Sequence, residues 1–271
     1  MPELPEVEIT RLGLLSLIEQ TVAEVVIRNG SLRWPITEHL PALIQGKTLR
    51  ALTRRAKYIL AHFDHGVLLM HLGMSGRICL LAQNEPAQKH DHFDIVFQNG
   101  QVLRLRDPRR FGAVLWAGEQ YTQHKLLSVL GPEPLDDVFT GQYLHEHMRT
   151  RTVAIKTTVM DSHLVVGVGN IYASESLFRA RIHPATPANA LSLKQCERLV
   201  TEIKATLADA LKAGGSSLRD FFGADGNPGY FQQQYFVYGR TDQPCRVCSK
   251  PIVSIKQGQR STFYCRACQK K

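Results

Sequence analysis

The sequence predicts an α+β protein: an N-terminal antiparallel β sandwich or barrel with a leading helix, then a helical domain, then a small four-cysteine module. Three observations predict it. From about residue 21 to 117, short β-rich runs alternate with turn signals. After Gly131-Pro132-Glu133-Pro134, the apolar spacing changes to the period of helices. Four of the six cysteines then crowd into the C-terminal end.

Residues 5 to 18 place Val7, Arg11, Leu14 or Leu15 and Ile18 along one helical face, and Pro5 suits a first turn. The strand-like runs are TVAEVVIRNG, KTLRALTRR, KYILAHF, VLLMHLGMSG, FDIVF, QVLRLRD and AVLWAG, with turn signals at Asp64-His65-Gly66 and Asn99-Gly100. GQYLHEHMRTR, NIYASESLFRARI and the longer LSLKQCERLVTEIKATLADALKAG read as helices. A polar, Gly- and Phe-rich stretch follows Gly214-Gly215, longer than most connections in compact domains. The spacer SKPIVSIKQGQRSTFY is drawn as a β hairpin turning near Gln257-Gly258.

A length of 271 residues with 44% hydrophobic and 21% charged residues excludes a disulfide-stapled mini-protein and a disordered or collagen-like chain. No apolar run approaches the roughly 18 to 20 residues of a membrane span, and MPELPEVEIT is acidic where a signal peptide is basic. A cytoplasmic location is expected. The net charge of +9 suits a polyanionic partner, or equally a basic surface that aids solubility. Beyond Asp242 stand Arg246, Lys250, Lys256, Arg260, Arg266, Lys270 and Lys271 and no acid.

Cys245, Cys248, Cys265 and Cys268 form C-x2-C-x16-C-x2-C, a spacing typical of four-thiolate zinc sites. Four thiolates fill the coordination sphere of Zn2+ and leave no place for a substrate, so one structural ion is expected. Redox chemistry or chance clustering is the alternative.

Methionine is commonly removed before a small second residue, which makes Pro2 the expected mature N-terminus. An α-amine with a pKa near 8 is on the order of 10% neutral at pH 7, far more than a lysine near 10.4. Attack by that nitrogen on a sugar C1′ gives an iminium ion, which acidifies the neighbouring C2′–H. Glu3 and Glu6, three apart, share a helical face beside the amine; acids there also simply complement a helix dipole. Lys57 in Arg54-Arg55-Ala56-Lys57-Tyr58, His71 and Met74 in HLGMSG, and Arg109 and Phe111 in DPRRFG combine cations, turn residues and wedge-like apolar side chains. Each alone is ordinary surface or core. Together they resemble the apparatus of proteins that extrude a base from a duplex. In Gly167-Val168-Gly169-Asn170, Asn170 has the look of a helix cap, and a helix start can bind phosphate.

MPELPEVE, RRAKY, HLGMSG, DPRRFG, VGVGNIYASE and the four-cysteine module, in this order and over essentially the whole chain, resemble bacterial formamidopyrimidine-DNA glycosylases. The resemblance implies a helix-two-turn-helix domain, a zinc finger and a monomeric, bifunctional enzyme of the nucleoid. It also implies excision of 8-oxoguanine and formamidopyrimidines from double-stranded DNA, then β,δ-elimination at the abasic site. By the resemblance Pro2 is the Schiff-base nucleophile, Glu3 the acid/base, Glu6 a supporting carboxylate, Lys57 the proton donor for β elimination and Arg260 the phosphate grip linked to δ elimination. Met74, Arg109 and Phe111 match the trio inserted into the duplex. His71, His90, Arg109 and Asn170 match DNA contacts, and Lys156 and the Ser217 to Gly223 loop match parts framing the extruded base. Thr150 stands where some members carry lysine, and Arg151 is taken in its place. The implied domains are 1–131, 132–236 and 237–271, with DNA in a basic cleft.

An endonuclease VIII type typically begins Met-Pro-Glu-Gly-Pro, and Leu4 argues against it. A non-catalytic zinc-ribbon binder would use the same basic tail but gives no reason for Pro2-Glu3.

Overall fold

The computed structural model describes residues 1–216, 224 and 229–271, and its contacts divide the chain into two compact units. The first comprises Met1–Ser128 with Ala213–Tyr230, the second Val129–Lys212 with Phe231–Lys271.

In the first unit α1 (Leu4–Gly13) leads into two four-stranded antiparallel sheets. One has the order β1 (Val22–Ile27), β6 (Asp91–Phe97), β7 (Gln101–Arg106), β5 (Arg77–Ala82). The other has the order β2 (Ala51–Arg55), β3 (Tyr58–Phe63), β4 (Gly66–His71), β8 (Ala113–Gly118). Val25, Phe93, Ile95 and Leu103 from the first sheet and Leu52, Ile59, Leu68 and Val114 from the second join one apolar cluster. Two sheets closing over one core make a sandwich rather than a barrel. Val7, Leu14 and Leu17 bury the helical face against the same cluster.

The α-helix stops at Gly13, and Leu15–Leu17 tighten into a 3-10 turn, shorter than the helical spacing to Ile18 suggests. A Cβ on Gly13 would stand 2.9 Å from the Ala224 Cβ, so this helix end packs at backbone distance. Strand β5 and the short α2 (Leu40–Ile44) are additions to the elements expected from the sequence.

On the side of β6 and β7 away from the core lies an ion ladder. Asp94 takes Arg104 through both carboxylate oxygens at 2.9 Å and Arg28 at 2.6 Å; Asp91 takes Arg106. Burial pushes the Asp94 carboxyl up, and the Arg28 and Arg104 guanidiniums more than offset it, leaving it below its ordinary value.

In the second unit α3 (Gly141–Met148), α4 (Ile155–Val159), α5 (Asn170–Arg179) and α6 (Leu193–Lys212) precede the hairpin β9 (Ile252–Gln257) and β10 (Arg260–Cys265). Thr140 caps α3 by accepting from Tyr143 N–H at 3.0 Å. Cys196, Leu199, Val200, Ile203, Leu207 and Ala210 form the buried stripe of α6. A Cβ on Gly141 would lie 2.5 Å from the Glu197 Cα, so only glycine lets α3 approach α6 this closely. No helix among the described residues is long and apolar enough to cross a membrane.

Candidate active site and nucleic-acid contacts

The chain tip is held by one carboxylate. Glu3 is the residue before the first turn of α1, and Glu6 Oε2 accepts its N–H at 2.9 Å, the Glu6 arm of a capping box. Glu6 Oε1 accepts from Ser216 N–H, also at 2.9 Å. Both glutamates are buried, while Pro2 is half-buried and Met1 exposed. Glu6 therefore fixes the backbone that carries Pro2 and Glu3.

Lys57 occupies the two-residue turn between β2 and β3, where Ala56 adopts φ +53°. Arg54 stabilises this unusual backbone by donating to Ala56 O at 2.9 Å, and its Nε reaches Glu8 of α1 at 3.2 Å. Glu8 also takes Arg11, and the two guanidiniums hold its carboxyl down against burial, which pushes it up. The Pro2 helix and the Lys57 turn are thus laced together by Glu8 and Arg54, a link with no signature in the sequence.

His71 closes β4 with its ring 4.9 Å from that of Tyr58. Burial, then the nearby charges of Lys57 and Arg33, lower its pKa to about 4. Its Nδ1 accepts from Gly73 N–H at 3.0 Å, so the neutral ring carries its proton on Nε2, ready to donate. Nothing local in the sequence marks Arg33 as a neighbour of His71.

Met74, Arg109 and Phe111 come together on adjoining loops. Met74 is 40% and Phe111 44% exposed, against the general rule for such side chains, and the Arg109 guanidinium lies 4.8 Å over the Phe111 ring. Both apolar side chains thus stand outside the buried core. His90 sits nearby in the chain connection, at φ +75°.

The second unit holds the other candidates. Asn170 is not the cap of α5: Gly169 occupies that position and has no side chain to cap with. The Asn170 side chain instead accepts from Lys156 Nζ at 2.5 Å and donates to Ser261 O at 3.0 Å. Lys156 is only 2% exposed, and its ammonium also donates to Thr262 Oγ1 at 2.7 Å. That buried charge is compensated by oxygens inside the protein, so it joins α4, the start of α5 and β10. Arg260 begins β10, next to Ser261, and is exposed. Arg151 stands apart from this group and pairs with Asp161 at 2.7 Å. Glu175, another residue without a sequence-derived role, accepts from the N–H groups of Phe236, Val237 and Tyr238 at 2.8 to 3.0 Å. The Ser217 to Gly223 loop lies outside the described residues.

The sulfurs of Cys245, Cys248, Cys265 and Cys268 all lie within 4.8 Å of one another, with Cys245–Cys268 at 3.9 Å and Cys248–Cys265 at 3.4 Å. Tetrahedral zinc with bonds of about 2.3 Å sets thiolates about 3.8 Å apart, so the donors present fit one zinc ion. These spacings are far beyond a disulfide bond of about 2.05 Å.

Three family models match in chain order: the formamidopyrimidine-DNA glycosylase N-terminal domain over residues 1–114, the H2TH domain of the same glycosylases over 130–222, and the zinc finger found in FPG and IleRS over 242–271. A Pro-Glu helix on a β sandwich, an H2TH domain and a four-thiol finger together define an enzyme class, the DNA glycosylases built on this plan. A formamidopyrimidine-DNA glycosylase of Methylobacillus flagellatus is 67% identical over 269 residues, covering 99% of this chain and 96% of that protein. A Lactococcus lactis FPG variant in complex with Fapy-dG-containing DNA superposes with a TM-score of 0.93 at 34% identity, covering 100% of both chains. The L. lactis Fpg bound to abasic-site DNA gives 0.92 at 33% identity, covering 99% of this chain and 100% of that one. The chain belongs to the formamidopyrimidine-DNA glycosylase family.

Proposed function

We propose that this chain removes oxidised purines, 8-oxoguanine and formamidopyrimidines, from duplex DNA and then cleaves the abasic strand by β,δ-elimination. It acts as a monomer beside the bacterial nucleoid, with catalysis in 1–131, DNA binding in 132–236 and the zinc finger in 237–271. With Met1 removed, the neutral Pro2 nitrogen attacks C1′, the glycosidic bond breaks, and its electron pair leaves with the base, which takes up a proton; the nitrogen then sheds its own proton, the C1′–O4′ bond opens with O4′ taking up a proton, and the nitrogen lone pair forms C1′=N+. The resulting iminium ion draws electrons from C2′, whose proton is lost as the 3′ C–O bond breaks; a second elimination releases the 5′ phosphate. Hydrolysis of the iminium ion frees Pro2. Glu3 is the acid/base at the sugar, Lys57 the proton donor for the first elimination, and Arg260 grips the phosphate in the second. His71, Met74, His90, Arg109, Phe111, Arg151 and Asn170 are the DNA contacts, and Lys156 acts through Asn170 and β10.

The observation that supports this reading is the Glu6 clamp, in which one buried carboxylate accepts from Glu3 N–H, beside Pro2, and from Ser216 N–H, each at 2.9 Å. A surface binder has no use for a chain tip held so firmly. Borohydride added during turnover on 8-oxoguanine DNA is expected to leave a covalent adduct, located on Pro2 by mass spectrometry. An adduct on a lysine, or none, refutes the mechanism; an adduct on oxidised pyrimidine DNA alone favours the endonuclease VIII reading.

A further inference from the structure

Asp107 follows β7 directly and is completely buried, 0% exposed, although Arg106, Arg109 and Arg110 surround it in sequence. Its hydrogen bonds among the described residues go to amides, a hydroxyl and a histidine. Oδ1 accepts from Ser75 Oγ–H at 2.9 Å and Arg109 N–H at 3.3 Å, and Oδ2 accepts from Gly112 N–H at 2.7 Å. Ser75 Oγ shares the Arg109 N–H at 3.2 Å. The Asp107 N–H donates to His90 O at 3.0 Å, while its carbonyl accepts from His92 Nε2 at 2.9 Å and Arg110 N–H at 3.2 Å.

The loops gathered in this way touch backbone to backbone. Gly73 has φ +63°, and a Cβ there would stand 2.3 Å from the Phe111 carbonyl carbon. A Cβ on Gly76 would lie 2.3 Å from Leu72 O. Met74 and Phe111, 40% and 44% exposed, project from this knot toward solvent. Loops free to move would let such side chains fold back onto the surface, and ordering them at each encounter would cost conformational entropy.

We infer that Asp107 is a positioning residue for base extrusion: its carboxylate, together with Ser75, locks the Met74 loop to the Arg109–Phe111 loop and presents the three side chains as one preformed wedge. The inference rests on the proposed reading in which those side chains enter the duplex. Opening the stack is costly, and a preformed wedge loses none of its contact energy to ordering. Asp107 is fully buried and so out of reach of sugar and phosphate, and on this reading the elimination steps do not depend on it.

The test separates extrusion from bond breaking. Asp107→Asn keeps size but turns one acceptor into a donor facing N–H or O–H groups. Single-turnover excision of 8-oxoguanine from duplex is expected to fall about 10- to 100-fold, and cleavage of a preformed abasic site, where no base must leave the stack, less than about 3-fold. Ser75→Ala, which removes a single hydroxyl, is expected to lower excision about 3- to 10-fold with the same split, and it decides the matter if Asp107→Asn does not fold. In both variants the fluorescence rise of 2-aminopurine beside the lesion slows by the same factor as excision. Equal losses on the two substrates, or wild-type excision by both variants, overturn the inference. Failure of the wild-type protein to excise 8-oxoguanine refutes instead the proposed function, and is seen before any variant is made.

Discussion

Replacing Glu6 by Gln tests whether the chain tip depends on a carboxylate. The side chain is buried, and among the described residues its two oxygens accept backbone N–H groups at 2.9 Å, one from Glu3 and the other from Ser216. An amide can serve only one of them; its NH2 must face the other N–H, leaving a buried donor unpaired. Losing one hydrogen bond to a charged group costs about 2 kcal/mol, which for a chain of this size lowers Tm by about 3 to 4 °C. The chemical effect is larger than that shift suggests, because the freed backbone is that of Pro2 and Glu3, and misplacing a nucleophile by about 1 Å costs on the order of 100-fold in rate. Thermal denaturation and single-turnover cleavage of abasic DNA, measured below the new Tm, separate the two effects. A Tm within about 1 °C of wild type together with normal cleavage would refute the clamp.

Other perturbations have equally definite outcomes. Glu3→Gln is expected to lose base excision yet still bind damaged DNA in a gel-shift assay, because phosphate contacts lie elsewhere; normal excision removes Glu3 from its role. Cys248→Ser is expected to release zinc, disorder the hairpin that carries Arg260 and weaken DNA binding, and metal analysis showing full zinc occupancy contradicts it. His71 sits at about 4 instead of 6.5, so its contribution to stability is present above pH 6.5 and is lost as the pH falls from 6.5 to 4, when the unfolded chain binds the extra proton. His71→Gln should flatten that part of the stability curve by up to about 3 kcal/mol, as read by urea denaturation; an unaltered curve means the imidazole is not kept neutral.

How much of this was legible beforehand varies with the range of the interactions involved. The four-cysteine spacing is local, and the hairpin and thiol cluster follow from it directly. The sandwich is legible from its alternating runs, but β5 follows Gly76 so closely that RICLLA reads as the tail of the HLGMSG loop. Asn170 has the composition of a cap, yet a lysine fourteen positions earlier captures its side chain, which no local pattern encodes. The partnership of Glu6 with Ser216 spans 210 positions and is invisible in sequence. Asp107 carried a faint signal: an aspartate opening a Pro-containing turn commonly accepts from amides two residues on. Exposure, the property that separates a wedge from core at Met74 and Phe111, emerges only when the loops are assembled.

The ladder on β6 and β7 bears on how the formal charge of +9 should be used. Asp91 and Asp94 offset two of the three charges of Arg28, Arg104 and Arg106, so the cluster contributes far less to any attraction for a polyanion than three free arginines would. Alanine scanning of every arginine in search of weaker binders would strike these three early and harvest aggregated protein, an artefact easily mistaken for lost affinity. Libraries aimed at salt-dependent binding should spare them and begin with the basic C-terminal segment.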